Sequence, residues 1–476
     1  MRSRIIAAAL ATALTCGCSM APQWQRPAGA VAPALPQGGA YQTLAPGDGA
    51  IDAIGWHAFF TDARLQRVIA TALEQNRDLR VTVANVAAAR AQFRIARAPE
   101  LPTLAVTPAA SHYHGSVSTT GYTGGNGASA NGADSDAYGV SGGVAGFEID
   151  LWGRVRNLGQ AALETYLSSD EGRKAAEIAL IDNVAGAWLT VGADADALTV
   201  AKAALANRDR SVSIARQRES LGVGTALEVA QAETLAETAR GDVASYTTAL
   251  AQATNALTLL VGKAVAAEDL PDRLVDDAVL PALPVGLSSD VLLRRPDVLS
   301  AEHSLRAADA NLGAARAALF PTISLTGLVG LASGSLGGLF DGAGTFNYGV
   351  GASATQTLFD NGAKAGNVAL ARARREAAIA GYERAVQGAF SDVANALARR
   401  GTIEAQVDAA RALAASADKA ATIIRARASN GIDSDLAALD AERTVYAAQQ
   451  TLVATRLARA TNMAALYAVL GGGLKP

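Results

Sequence analysis

The chain is one unit written twice, and that duplication limits its possible folds more than any other feature. Residues 96–103 (ARAPELPT) recur as 315–322 (ARAALFPT), and Tyr138-Gly139-Val140 recurs as Tyr348-Gly349-Val350. Arg218-Glu219-Ser220-Leu221-Gly222 recurs as Arg427-Ala428-Ser429-Asn430-Gly431, and Ala232-Glu233 as Ala441-Glu442. The offsets are 219, 210, 209 and 209 residues. They drift only across the loop between the first two markers, where insertions are tolerated. A period this long is a duplicated domain, not a solenoid repeat.

Proline placement shows how each copy is organised. None lies between Pro108 and Pro271, or between Pro321 and Pro476. Both stretches can therefore hold helices far longer than the usual ~11–12 residues. Residues 154–220 and 363–429, rich in Ala, Leu, Arg, Glu and Gln, are each predicted as one unbroken helix. At ~1.5 Å per residue each would span roughly 100 Å. Turn signals end them, Gly222-Val223-Gly224-Thr225 and Asn430-Gly431-Ile432-Asp433-Ser434. Second helices then return over about 227–261 and 436–470. In the first, Val229, Ala236, Val243, Leu250 and Leu257 fall seven apart, with Ala232, Ala239, Tyr246, Ala253 and Leu260 beside them. In the second, Leu439, Tyr446, Val453, Ala460 and Tyr467 repeat likewise. A sustained 3.5-residue period calls for left-handed coiling against a neighbour.

Between the helices the period changes to two. In 322–331, Ile323, Leu325, Val329 and Leu331 alternate with small or polar residues, and Phe346, Tyr348 and Val350 open a partner strand. Residues 319–340 carry no charge, but their glycines, Pro321 and the alternation argue for a strand and not a spanning helix. Residues 104–113 and 138–149 form the equivalent pair, joined by a low-complexity loop containing Gly124-Gly125-Asn126-Gly127. Strands of ~10 residues with weak alternation are the signature of a transmembrane β-barrel. Four strands cannot close one, and open edges are not viable in lipid. The chain must therefore oligomerise. A dimer gives eight strands and a filled interior, whereas a trimer gives twelve and leaves room for a conduit.

Composition excludes other classes. Lys+Arg total 41 against 44 Asp+Glu, a net charge of −3, so the basic excess of a nucleic-acid binder is missing. Both cysteines, Cys16 and Cys18, lie in the first eighteen residues, which rules out a disulfide scaffold, a cysteine metal site and a cysteine nucleophile. Arg2 and Arg4 precede an apolar run over 5–14, a secretory signal too short to span a bilayer. Cys18 after Gly17 resembles the lipobox of bacterial lipoproteins, with Cys16 as a second cleavage candidate. Gly139-Val140-Ser141-Gly142-Gly143 formally fits a nucleophile elbow but sits inside a Gly-rich strand, not at a strand-to-helix turn. His112-Tyr113-His114 puts two imidazoles on one strand face, and with no third ligand in the sequence nearby it reads as a barrel-rim feature rather than a metal site. No P-loop is present, so energy must come from partners.

The sequence resembles the outer membrane factors of the TolC/OprM/NodT type, exit ducts of tripartite efflux systems. The resemblance covers nearly the whole chain. It rests on Cys18-Ser19-Met20-Ala21-Pro22 with Gln25-Arg26-Pro27, and on Leu293-Arg294-Arg295-Pro296-Asp297 with Ala301-Glu302. It also rests on residues 320–327 (FPTISLTG) and on Gly431-Ile432-Asp433 with Leu439-Asp440-Ala441 and Ala447-Ala448-Gln449-Gln450. It implies a helix-dominated membrane protein: a homotrimer with a twelve-strand outer-membrane β-barrel, a long periplasmic coiled-coil α-barrel and an equatorial belt. The implied domains are a signal peptide (1–17), a lipidated extended segment (18–61), a first repeat (62–262), an equatorial linker (263–290), a second repeat (291–472) and a short tail.

The resemblance implies a lipid on Cys18, of the palmitate type, as the sole added group. Ser19 after it implies sorting to the outer membrane. The implied partners are a periplasmic adaptor, an inner-membrane pump of RND type and outer-membrane lipid. The adaptor would dock at the tips, Leu221, Gly222, Val223, Gly224 and Thr225, with Asn430, Gly431, Ile432, Asp433 and Ser434. Asp440 matches a constriction aspartate of the family, while Ala437 stands where a second acid is usual. Asp433, Asp435 and Asp440, balanced by Arg425 and Arg427, are thus the expected periplasmic gate. The expected role is a passive exit channel and not an enzyme. The rival is a non-conducting coiled-coil lipoprotein that spaces the envelope or adheres to surfaces, which would need no amphipathic strand pairs.

Overall fold

Two helices of 67 residues each dominate the chain, and both have the bounds that the proline-free stretches predict. The computed structural model describes residues 19–29, 31, 35–41, 55–114, 134–275, 289–341 and 345–472. Cys16, Cys18, the signal segment, the Gly124 loop and the last four residues lie outside these. The helices are α1 (Ala63–Gln75), α2 (Arg77–Arg97), α3 (Arg154–Ser220), α4 (Ala226–Val261), α5 (Pro296–Ala317), α6 (Ala363–Ser429) and α7 (Asp435–Val469). The strands are β1 (Leu104–His114), β2 (Asp134–Glu148), β3 (Thr322–Ser333) and β4 (Phe346–Thr355). No described helix is long and apolar enough to cross a membrane. Residues 322–333, inside the uncharged stretch, are strand as the alternation requires.

The chain divides into two compact units, each taking part of both repeats. One comprises residues 1–26, 88–167 and 303–379, the other 27–87, 168–302 and 380–476. In the second unit the core gathers Trp56, Phe59 and Phe60, the inner face of α1, residues 180–193 of α3, and Ala460, Ala464 and Tyr467 of α7. Trp188 is 1% exposed, and its indole N–H donates to the Asp269 carbonyl at 2.8 Å. Asp62 caps α1, accepting from the Arg64 backbone N–H at 2.7 Å. The heptad seam of α4 is buried at Val229, Ala232, Ala236, Ala239 and Leu257, and that of α7 at Leu439, Tyr446, Ala460 and Tyr467.

Pro296 opens α5 at the position where a missing N–H costs nothing. Arg295, 8% exposed, donates twice to Asp297 (2.7 and 3.0 Å) and once to the Val469 carbonyl (2.7 Å) at the end of α7. The Arg-Arg-Pro-Asp motif therefore joins two helix ends, a positive group on a negative dipole terminus.

The first unit holds one antiparallel sheet in the order β1-β2-β3-β4. Its register sorts the side chains by face. Leu104, Val106 and Pro108 align with Val144, Gly142 and Val140, then Gly327, Val329 and Leu331, then Val350, Tyr348 and Phe346. The opposite face carries Ala105 and Thr107, Gly143 and Ser141, Leu328 and Gly330, Gly349 and Asn347. One face is thus apolar, and the other is small or polar apart from Leu328. Val106, Tyr348 and Val350 are all more than 70% exposed in the single chain, so none of the described residues covers this apolar face. Within this unit Trp152 stacks on Phe320 at 4.7 Å and donates to the Pro321 carbonyl at 2.9 Å, closing the helix-bearing end of the sheet.

Both strands of the first pair run past their expected ends, β1 by one residue and β2 by four. Asp134, Ser135 and Asp136 read as loop because acids are poor strand formers. Cross-strand pairing overrides that propensity, with His112 and Asp136 in contact at 2.6 Å.

Candidate functional site

Each long helix ends in a tip built by its local sequence, and the two tips share one plan, as the repeat requires. At the first, Gly222 takes a left-handed φ of 74°, and the N–H groups of Val223 and Gly224 both donate to the Arg218 carbonyl at 3.0 Å. At the second, Gly431 has φ 71°, and the Ile432 N–H donates to the Arg427 carbonyl at 3.0 Å. Thr225 then caps α4 and Ser434 caps α7. The first cap is a full capping box, with Glu228 returning a bond to the Thr225 N–H at 2.9 Å. Ala437 occupies the matching position in the second copy, which leaves that cap half made.

The charges follow the repeat and then depart from it. Arg216 pairs with Glu233 at 2.6 Å, and their equivalents Arg425 and Glu442 pair at 3.4 Å. Arg218 crosses between the hairpins to Asp435, whereas its equivalent Arg427 turns back on Asp433 with two bonds of 2.7 and 2.9 Å. Asp440, 61% exposed at its side chain, accepts from Arg443 at 2.6 Å, one turn along its own helix. Hydrogen bonding from Arg427 holds the Asp433 carboxyl below its ordinary value of 3.8, so that pair persists until the pH falls below that value.

The structure therefore places Asp433, Asp435, Asp440, Arg425 and Arg427 on one hairpin but pairs them differently from expectation. Of the two arginines, only Arg427 meets one of the three aspartates. Arg425 is drawn to Glu442, which faces it across the antiparallel hairpin. Arg218, Glu442 and Arg443 belong to the same charge system and were missed. The repeat points to Arg218 through Arg427, and helical i,i+3 spacing points to Arg443.

Between the hairpins lies a cavity of about 590 Å³, bordered by Asn207, Arg218, Glu228, Arg425, Asp435 and Leu439. Leu221, Val223 and Ile432 at the turns are each more than 60% exposed. Behind the tips, Val212, Ala232, Ala236 and Leu439 pack together. Tyr446 donates to Asp242 at 3.0 Å, while Arg208 lies 5.0 Å over its ring and donates to the Leu235 carbonyl at 3.0 Å. Exposed charge pairs thus sit on a packed support.

The family model described as outer membrane efflux protein matches residues 68–263 and again 287–472, once for each repeat. The chain is 38% identical to the probable efflux pump outer membrane protein TtgC of Pseudomonas putida, over 99% of this chain and 96% of that one. It is also 38% identical to the outer membrane protein OprJ of Pseudomonas aeruginosa, over 98% and 95%. The crystal structure of the open state of the MtrE outer membrane channel of Neisseria gonorrhoeae superposes with a TM-score of 0.82 and 39% identity, covering 96% of this chain and 99% of that one.

The chain belongs to the outer membrane efflux protein family.

This efflux protein is an outer-membrane channel with a periplasmic helical extension, and its relatives are channel proteins. The elbow-like run Gly139 to Gly143 lies in mid-strand, where Ser141 is paired with Thr107 and Gly330 and no turn into a helix follows. The run therefore lacks the strand-to-helix turn that a nucleophile elbow needs.

The efflux protein also carries a half-buried acid that its local sequence does not mark. Asp182 on α3 borders a cavity of about 850 Å³ with Asp392, Asn395 and Asn462. Burial pushes its carboxyl up to about 6. Between the unfolded value of 3.8 and about 6 the native state holds a proton that the unfolded chain releases. Stability therefore falls as pH rises through that window and is level above it. Asp182→Asn is expected to raise stability at pH 7 by roughly 1–3 kcal/mol and to change nothing at pH 3.5. Thermal melts at the two pH values check this.

Proposed function

We propose that three copies of the chain form the exit duct of a tripartite efflux pump and pass small molecules through it without performing chemistry. The observation that carries this reading is the sheet: among the described residues it has four strands, one apolar face, and two outer strands, β1 and β4, without a partner along their outer edges. Backbone groups cannot stay unpaired in lipid, so β4 of one copy joins β1 of the next until the sheet closes. Twelve strands enclose a lumen lined by the face that carries Thr107, Ser141 and Asn347. The apolar face then meets lipid. A coiled-coil spacer or adhesin has no use for such a sheet.

In this reading a periplasmic adaptor docks at the tips through Leu221, Val223 and Ile432, and an inner-membrane pump of RND type supplies the energy. The ion pairs of Arg218, Arg427 and Asp440 lie at the narrow end and hold it closed until the adaptor engages. Detergent-solubilised protein is expected to run as a trimer in analytical ultracentrifugation. A monodisperse monomer with intact strand signal in circular dichroism would overturn the closure argument.

The N-terminus is acylated on Cys18 in the same reading, and three chains would hold it far more firmly than one. Cys18→Ala is expected to abolish incorporation of labelled fatty acid. Label retained by that variant, and lost only from a Cys16 variant, would move the anchor to Cys16.

A further inference from the structure

We propose that residues 334–341, which follow β3 at the end of the sheet away from the helices, are a membrane anchor that sets Leu336 and Phe340 among the acyl chains at the outer border of the bilayer. The anchor presupposes the barrel proposed above, whose apolar face meets lipid, and adds a lipid contact made by a loop. Ser333 shows on which side of the barrel wall this loop lies. Successive strand residues point to opposite faces, so Ser333 shares the apolar face with Val329 and Leu331. Its rung partner Tyr138 likewise shares that face with Val140. Gly338 is folded against the Ser333 side chain: a Cβ there would collide with the Ser333 Oγ and stand 3.4 Å from its Cβ. The loop therefore turns back over the apolar face and not over the face that carries Ser141 and Asn347.

Its internal bonding lets it leave water. The Ser335 N–H donates to the Ser333 hydroxyl at 3.3 Å, and the Gly338 N–H to the Ser335 hydroxyl at 3.2 Å. The Phe340 N–H donates to the Gly337 carbonyl at 3.1 Å. Three backbone donors thus find partners locally, which spares them the cost of entering lipid unpaired. The short helical turn Gly337–Leu339 buries Leu339 and leaves Leu336 and Phe340 62% and 80% exposed on either side of it. Residues 319–340 carry no charge, and Asp341 is the first to do so.

The strands beside the loop mark the depth. Phe346 and Tyr348 stand on the apolar face at the same end of β4, both exposed, with ring centroids 6.3 Å apart. Tyr138 joins them on β2. Aromatic side chains gather where the hydrocarbon of a bilayer gives way to headgroups. Leu336 and Phe340 continue the apolar surface at that level, as the apolar side of an interfacial anchor does.

The test places a tryptophan at Phe340 in the full-length protein, reconstituted in phosphatidylcholine vesicles with and without bromine on the acyl chains. Its fluorescence is read above that of the four native tryptophans. Brominated lipid is expected to remove most of the Phe340→Trp signal, and acrylamide in the water to leave most of it. Asn347→Trp, on the opposite face of β4, should show the reverse. If Phe340→Trp does not assemble, Leu336→Trp takes its place with the same expectation. A signal that acrylamide quenches and brominated lipid does not puts the loop in water and overturns the proposal. A signal that neither quenches puts the loop against a neighbouring copy and overturns it too. Quenching of Asn347→Trp by brominated lipid would instead overturn the facing of the barrel wall, and the anchor with it.

Discussion

A channel carrying Arg218→Ser and Arg427→Ser is expected to conduct several-fold more current than the wild type in planar bilayers. Arg218 is the tip cation that crosses from the first hairpin to the second, where it meets Asp435. Arg427 instead folds the second turn onto itself through Asp433. Removing both frees the two hairpins to part and takes the cationic partners from two acids, Asp435 and Asp433. An ion pair as exposed as Arg218–Asp435 is worth only ~0.2–1 kcal/mol. Three copies of it reach the few kcal/mol needed to keep a gate closed yet easy to open. The packed support of Val212, Ala232, Ala236 and Leu439 is untouched, so the trimer should assemble normally. High salt should partly reproduce the effect in the wild type, because exposed pairs are screened. Asp440→Ala should also raise conductance and reduce the preference for cations. Wild-type conductance in the arginine double variant, and wild-type selectivity in Asp440→Ala, would place the gate elsewhere.

Long-range repetition and the absence of proline made most of the fold legible. The two long helices, the returning helices and the four strands follow from local rules that nothing in the tertiary structure opposes. Tertiary pairing hid the rest. Asp136 is separated from His112 by a low-complexity stretch of sequence, so neither its contact nor the true start of β2 can be read locally. Arg218 and Asp435 are far apart in the chain, one in each repeat, and their pairing breaks the repeat. The equivalent arginine, Arg427, has an aspartate at 433 where the first copy has Gly224. Duplicated segments that keep their backbone plan can diverge in charge, because a turn is fixed by Gly222 and Gly431 and not by its surface partners. Asp182 was illegible for a different reason, since burial of an acid depends on which helices cover it.

Gly143→Val is expected to prevent assembly altogether. Gly143 has φ 148°, and a Cβ there would stand 2.1 Å from the Gly327 carbonyl oxygen and 3.0 Å from the Leu328 Cα. Those atoms are backbone on the neighbouring strand and cannot move aside without losing the β2–β3 ladder. Backbone strain and overpacking each amount to ~1–3 kcal/mol, or roughly 2–6 kcal/mol per chain, and a trimer incurs this three times. Location makes the defect worse. β1 and β2 come from the first repeat, β3 and β4 from the second, and β2–β3 is the seam that joins them in the sheet. The seam already bends here, with its register shifting between Val144 and Phe147. A bulge of this kind re-aims a strand and depends on a residue that tolerates unusual backbone angles. Gly349→Ala on β4 is the matched control, because a Cβ there meets nothing within 4 Å. Gel mobility without heating, and the yield in the outer-membrane fraction, should show trimer for Gly349→Ala and none for Gly143→Val. Normal trimer from Gly143→Val would mean that the two repeats can join without this seam.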